Sequence, residues 1–115
     1  MSVTIYHNPR CSKSRQTLAI LEEQQQNPDI VLYLETPPDV ATLKTLLQQL
    51  GLSARELMRK GEQEYKDHIL SNPDLTEEQL VAALHQYPKL IERPIVVANG
   101  QAKIGRPPES VLEIL

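Results

Sequence analysis

Cys11 is the only cysteine of the chain, and its neighbours are Arg10, Ser12, Lys13, Ser14 and Arg15. A free cysteine is ordinarily a small buried hydrophobe, but none of these neighbours belongs in a core. The segment stands where a β-prone run, Val3-Thr4-Ile5-Tyr6, gives way to helical composition from Ser12 to Glu23. A cysteine at such a join meets the unpaired N–H groups and the positive dipole end of the first helical turn. Both favour thiolate over thiol, as do the charges of Arg10 and Arg15. Settings of this kind lower a cysteine pKa from about 8.5 to roughly 3.5–7.5. The same N–H groups cradle anions, so a nucleophile and a small oxyanion are drawn to one place.

Ser14 occupies the position at which a second cysteine would give a Cys-x-x-Cys redox pair. With serine there, a disulfide on Cys11 has no internal resolving thiol, and turnover by redox chemistry needs a thiol from outside. Three arginines stand out by context. Arg59 lies near the end of a helical stretch with Leu57 and Met58 on its apolar face, and Arg93 and Arg106 each precede a proline. A residue before proline is biased to extended backbone, which presents the side chain from a fixed frame. Arginine supplies the fork-like donors that a tetrahedral oxyanion needs, although a solvated surface role fits any one of them taken alone. Arg93-Pro94 also reads as a cis peptide. His7, four residues before Cys11, reads either as tuning the thiolate or as bracing the loop. His68 and His85 read as surface residues, and Tyr6 and Tyr33 as core or strand residues.

These groups need elements to hold them. Val3–Tyr6 is a strand that Pro9 prevents from continuing. A helix over Ser12 to Glu23 follows, and Ile30-Val31-Leu32-Tyr33-Leu34 is a continuous apolar run suited to a buried parallel strand. Together they make a βαβ unit with a right-handed crossover. Thr36 as cap and Pro37 at the first position open the next helix, with Val40, Leu43, Leu46, Leu47 and Leu50 as its apolar stripe and Gly51 at its end. Ser53-Ala54-Arg55-Glu56 and Thr76-Glu77-Glu78-Gln79 are capping boxes. Asn99-Gly100 between Ile95–Ala98 and Gln101–Ile104 predicts a type I′ hairpin, and a short helix runs from Pro107 to Leu115. The order β-α-β-α, a helical block, then β-β-α reads as an α/β domain with one mixed sheet.

The bulk composition narrows the function classes. With 115 residues and 40% apolar content, one domain with a modest core is expected, built without Phe or Trp. A net charge of -3 gives no support for a nucleic-acid surface. No apolar run approaches the ~20 residues of a membrane span, and Met1 to Tyr6 do not open a signal peptide. A lone cysteine fits a reducing cytoplasm. His7, His68 and His85 are too scattered for a structural zinc site, so no metal is expected.

Several stretches then stand together: His7-Asn8-Pro9-Arg10-Cys11-Ser12-Lys13-Ser14-Arg15, Tyr33-Leu34-Glu35-Thr36-Pro37-Pro38, Leu57-Met58-Arg59-Lys60, Ile91-Glu92-Arg93-Pro94-Ile95-Val96 and Ile104-Gly105-Arg106-Pro107. In order and spacing they resemble the glutaredoxin- and glutathione-coupled arsenate reductase family, across nearly the whole chain. The resemblance implies a thioredoxin-like fold: a mixed four-stranded sheet with flanking helices, and a helical insertion at about 52–90 within a single 1–115 domain. It implies that the loop cysteine attacks arsenate to form a thiol–arsenate adduct. Glutathione, a co-substrate rather than a tightly bound cofactor, attacks the arsenic, arsenite forms, and glutaredoxin regenerates the thiol. Matched residue by residue, Cys11 is the nucleophile, Arg59, Arg93 and Arg106 bind the oxyanion, and His7, Ser14 and Arg15 support the thiolate.

The chain ends at Leu115, where longer relatives carry a C-terminal tail, so a short form acting in arsenic detoxification is expected. The expected partners are arsenate, glutathione and glutaredoxin, with no nucleic acid and no membrane, and the expected state is a cytoplasmic monomer. Two other classes are compatible with the fold. One is a redox-responsive regulator similar to Spx, against which Ser14 argues; the other is a thiol-transfer enzyme acting on glutathione mixed disulfides. Low-molecular-weight phosphatases place their arginine in a Cys-x5-Arg loop, a spacing that Arg15 does not match.

Overall fold

The computed structural model describes residues 2–115. Four strands, β1 (Val3–Tyr6), β2 (Asp29–Val31), β3 (Ile95–Ala98) and β4 (Gln101–Ile104), form one sheet in the order β2-β1-β3-β4. β2 runs parallel to β1, pairing Ile5 with Ile30, whereas β3 is antiparallel to both β1 and β4, pairing Ile5 with Val96 and Val96 with Lys103. The sheet is therefore mixed, and with its flanking helices it is thioredoxin-like. Five α-helices lie between: α1 (Ser12–Glu23), α2 (Val40–Leu50), α3 (Ala54–Leu57), α4 (Gln63–Asp67) and α5 (Glu77–Gln86). Two 3-10 helices, Pro88–Leu90 and Pro108–Ile114, complete the elements.

The chain divides into two compact units, residues 2–36 with 93–115, and residues 37–92. In the first, Val3, Ile5, Leu21, Val96, Ala98, Val111 and Ile114 are buried as one cluster, with Leu18, Ile20 and Leu115 packed on it. This cluster comes from alternate positions of β1 and β3, from α1, and from the terminal 3-10 helix. Pro108, Val111 and Ile114 are all buried. Their three-residue period matches the 3.0 residues per turn of a 3-10 helix, which brings all three to one side. The terminal helix expected from Pro107 thus begins one residue later and is of the tighter type.

The second unit is helical. Leu43, Leu46 and Leu47 form the buried stripe of α2, and Leu80, Val81, Ala83 and Leu84 that of α5. Both expected capping boxes are present, at Ser53/Glu56 and Thr76/Gln79. Gly51 ends α2 in the left-handed region, φ 71°. The insertion expected at about 52–90 lies inside this unit, which also takes in α2. Among the described residues no helix is long and apolar enough to cross a membrane.

Two expectations about local structure are corrected. The run Ile30 to Leu34 is not a buried strand. β2 covers Asp29–Val31 only, Ile30 is 50% exposed and Leu34 40%. β2 pairs only with β1, so it lies at an edge of the sheet. The chain then turns, and the Leu32 carbonyl accepts the N–H groups of Glu35 and Thr36 at 2.9 Å each. α2 is capped not by Thr36 but by Asp39, whose carboxylate accepts the Thr42 N–H at 2.8 Å; the Thr36 hydroxyl donates to Leu32 O instead.

Candidate active site

β1 ends at Tyr6, and the His7 N–H still reaches Val31 O at 2.8 Å, so the chain leaves the sheet only after His7. Asn8 and Pro9 then turn it. The Asn8 carbonyl accepts the Cys11 N–H at 3.0 Å, and its side-chain oxygen accepts the Arg10 N–H at 3.0 Å. This is the self-bonded turn that asparagine favours. Cys11 emerges in extended backbone as the N-cap of α1. Its carbonyl already accepts the Arg15 N–H at 3.0 Å.

The sulfur is partly exposed and sits under two arginines. Arg106 Nη2 is 3.6 Å from Cys11 Sγ, across 95 residues of sequence. Arg106 Nε donates to the Arg93 carbonyl at 2.8 Å, which ties the two Arg-Pro corners together. Both Arg93-Pro94 and Arg106-Pro107 are cis; only the first was foreseen. Burial pushes the Cys11 thiol up. The Ser14 N–H, the Arg93 side chain as donor and as charge, and the Lys13 N–H pull it down, and they prevail: the pKa lies below the ordinary thiol value. The helix terminus and the guanidinium therefore act together on one atom.

Under the loop lies a buried polar pair. His7 Nδ1 and Ser14 Oγ are 2.6 Å apart, and Ser14 Oγ also accepts the Asn8 N–H at 3.0 Å. His7 is buried and Ser14 fully so. Burial first, and the Arg15 charge second, hold His7 below the ordinary histidine value, so the ring is neutral at pH 7. Of the two readings of His7, the geometry favours the brace. Ser14 reaches the sulfur through its backbone N–H, while its hydroxyl faces inward to His7. Arg15 donates to the Pro9 carbonyl at 2.9 Å and closes the loop from its outer side.

Cys11, His7, Ser14, Arg15, Arg93 and Arg106 are thus brought together in the first unit. Arg59 belongs to the second. There its N–H donates to Leu90 O at 2.7 Å and its Nε is 3.8 Å from a Glu92 carboxylate oxygen, while Nη1 is buried without a partner. His85 donates through its Nδ1–H to Pro38 O, 2.9 Å away, and His68 stacks on Tyr87 with ring centroids 4.4 Å apart. Both histidines have contacts inside their own unit. Two residues of the site's support went unnoticed in the sequence. Asn8 could have been found from the Asn-Pro turn signal. Thr17, fully buried, could have been found from its helical spacing between Ser14 and Leu21.

Comparison with known proteins follows the same lines. The model of the ArsC family matches residues 6–114. An uncharacterized Escherichia coli protein, YfgD, is 62% identical over 114 residues, spanning 98% of this chain and 96% of its own. The arsenate reductase of Haemophilus influenzae is 50% identical over 116 residues and is matched over the whole of both chains. A solved structure of an arsenate reductase from Vibrio cholerae superposes with a TM-score of 0.97 at 59% identity, covering 100% of this chain and 98% of its own.

Proposed function

The chain belongs to the ArsC family, and on that premise we propose that it is an arsenate reductase with Cys11 as its nucleophile. The observation that carries the reading is the Cys11 sulfur held between the first turn of α1 and two guanidinium groups, with Arg106 at 3.6 Å. A tetrahedral oxyanion drawn to those donors meets a thiolate already favoured for attack.

The thiolate attacks arsenic, an S–As bond forms, and one arsenate oxygen leaves as water after protonation. Reduction of As(V) to As(III) takes two electrons, which two thiols supply as they become a disulfide. Cys11 is the single cysteine and Ser14 stands at the resolving position, so the reductant comes from outside. We take it to be glutathione, whose thiol attacks the arsenic of the adduct and displaces a second oxygen as water. A glutaredoxin thiolate then attacks the glutathionyl sulfur, and the As–S bond to glutathione breaks with its electron pair left on arsenic. Water hydrolyses the remaining Cys11–As(III) bond to give arsenite and the free thiol. Arg93 and Arg106 are the oxyanion ligands in this reading. Arg59 enters it through the family match alone. His7 and Arg15 hold the loop in which the sulfur sits.

The test is arsenite formation from arsenate with glutathione and glutaredoxin supplied. The wild-type protein should form arsenite and Cys11→Ser should fall to background. No arsenite from the wild-type protein overturns the reading. Turnover of a glutathionylated substrate in place of arsenate would transfer the site to the thiol-transfer class.

A further inference from the structure

The chain has four glycines, and three of them have open space where a Cβ would stand. At Gly51, Gly61 and Gly100 no atom lies within 4 Å of that point. Gly51 and Gly100 are explained by backbone, with φ of 71° and 74°. Gly105 is the opposite case. It has no positive φ to call for glycine, but it has no room. A Cβ there would collide with Thr17 Oγ1, stand 2.9 Å from Pro94 Cγ and 3.1 Å from Thr17 Cγ2.

What it would collide with is itself held. Thr17 is fully buried in α1 and its hydroxyl donates to Lys13 O at 2.8 Å, so the side chain cannot swing aside without losing that bond. Lys13 is in the first turn, beside the Cys11 cap. On the other side, the Gly105 N–H donates to Pro94 O at 2.9 Å, which locks it to the Arg93-Pro94 corner. The next residue is Arg106, whose Nε donates to Arg93 O and whose Nη2 meets Cys11 Sγ. The chain after β4 therefore reaches α1 at backbone-to-side-chain contact, one residue before the guanidinium it presents to the sulfur.

We infer that Gly105 is a positioning residue: its missing side chain lets the β4 corner seat against Thr17, and that seat sets the distance from the Arg106 guanidinium to the Cys11 sulfur. A methyl group at 105 must push the corner from the helix or Thr17 from the corner. Protein interiors transmit such displacements rather than absorb them, and Arg106 moves with its neighbour. The inference rests on Cys11 as the reactive thiolate, as read above.

The experiment is alkylation of Cys11 by iodoacetamide as a function of pH, with the arsenate KM as second readout, for wild type, Gly105→Ala and Thr17→Ala/Gly105→Ala. Thr17→Ala removes Oγ1 and Cγ2, two of the three atoms nearest the added methyl, and leaves the Pro94 ring carbon in place. Gly105→Ala should move the alkylation midpoint up toward the ordinary thiol value and raise the arsenate KM between about 10- and 100-fold, the scale of an ångström misplacement. The double variant should return both toward wild type. A folded Gly105→Ala with both readouts unchanged overturns the inference, as does a double variant that leaves them displaced. If Gly105→Ala does not fold, a double variant that folds with the wild-type midpoint supports the contact, and one that does not fold or keeps a raised midpoint overturns it. A wild-type midpoint at the ordinary thiol value defeats the reactive-thiolate reading itself, which separates that failure from one confined to Gly105.

Discussion

The two compact units bury different chemistry. The polar residues buried as a whole among the described residues, His7, Ser14 and Thr17, all lie in the first unit, around the loop and helix that hold Cys11. The second unit buries leucine, isoleucine, valine, alanine and methionine, as in Leu43, Leu57, Leu84 and Ile91. Burying a hydroxyl or an imidazole costs free energy unless it is hydrogen-bonded, whereas burying a leucine is favourable by itself. The first unit meets that cost with the His7–Ser14–Asn8 group and the Thr17–Lys13 bond. What it gains is a loop geometry that apolar packing would not specify, since such packing has no direction while a hydrogen bond has one. The lesson is a division of labour: one unit fixes directions at the sulfur, and the other is stabilised mainly by area.

That division can be broken by a large change in the apolar unit. Leu84→Ala, at a fully buried position of α5, should cost about 2–5 kcal/mol of stability. The pH profile of Cys11 alkylation in the folded fraction should not move. Denaturant melts paired with alkylation check both, and a displaced profile would show that the apolar unit also tunes the thiolate.

The reverse experiment is expected to be smaller in stability and larger in function. Arg106→Ala removes an exposed side chain whose charge-assisted contacts are worth about 1.5–3 kcal/mol. Oxyanion affinity should fall about ten- to a hundredfold, while the melting temperature changes little. Equilibrium binding of arsenate to Cys11→Ser and to Cys11→Ser/Arg106→Ala isolates the guanidinium from the chemistry. Equal affinities would take Arg106 out of the site.

The smallest effect sharpens the comparison through pH. His7 has its pKa lowered in the folded protein, chiefly by burial. Between that lowered value and the ordinary ~6.5 the unfolded chain binds more protons, so stability rises with pH across this window. It is fully present above about pH 6.5 and is lost as pH falls toward the folded value. Urea melts from pH 7 downward should show this slope in wild type and a shallower one in His7→Gln. An unchanged slope in the variant would mean that another group carries the acid sensitivity.

Much of the local structure was legible. α1 runs from Ser12 to Glu23 as its composition predicts, the capping boxes at Ser53 and Thr76 form, and Asn99-Gly100 turns the β3–β4 hairpin with both residues at positive φ. Each of these signals is complete within a few residues, because a cap or a turn is decided by neighbours. The run Ile30 to Leu34 was misread because an apolar strand looks alike at the centre and at the edge of a sheet; strand order is a property of the whole chain. Thr36 does not cap α2 because the helix begins at Val40, which leaves Asp39 as the residue whose side chain reaches the first-turn N–H groups.

By itself the sequence determined that Cys11 stands where a strand joins a helix, that Ser14 leaves it without an internal resolving thiol, and that Arg93 and Arg106 are presented ahead of prolines. Only the tertiary structure decided that these arginines and this sulfur meet. The Arg106–Cys11 contact bridges 95 residues, and it exists because β3 pairs with β1 in a register that sets Ile95 beside Tyr6. The same closure made Gly105 necessary. Nothing beside Gly105 in the chain asks for a glycine; the requirement comes from Thr17 and Pro94, which folding brings against it.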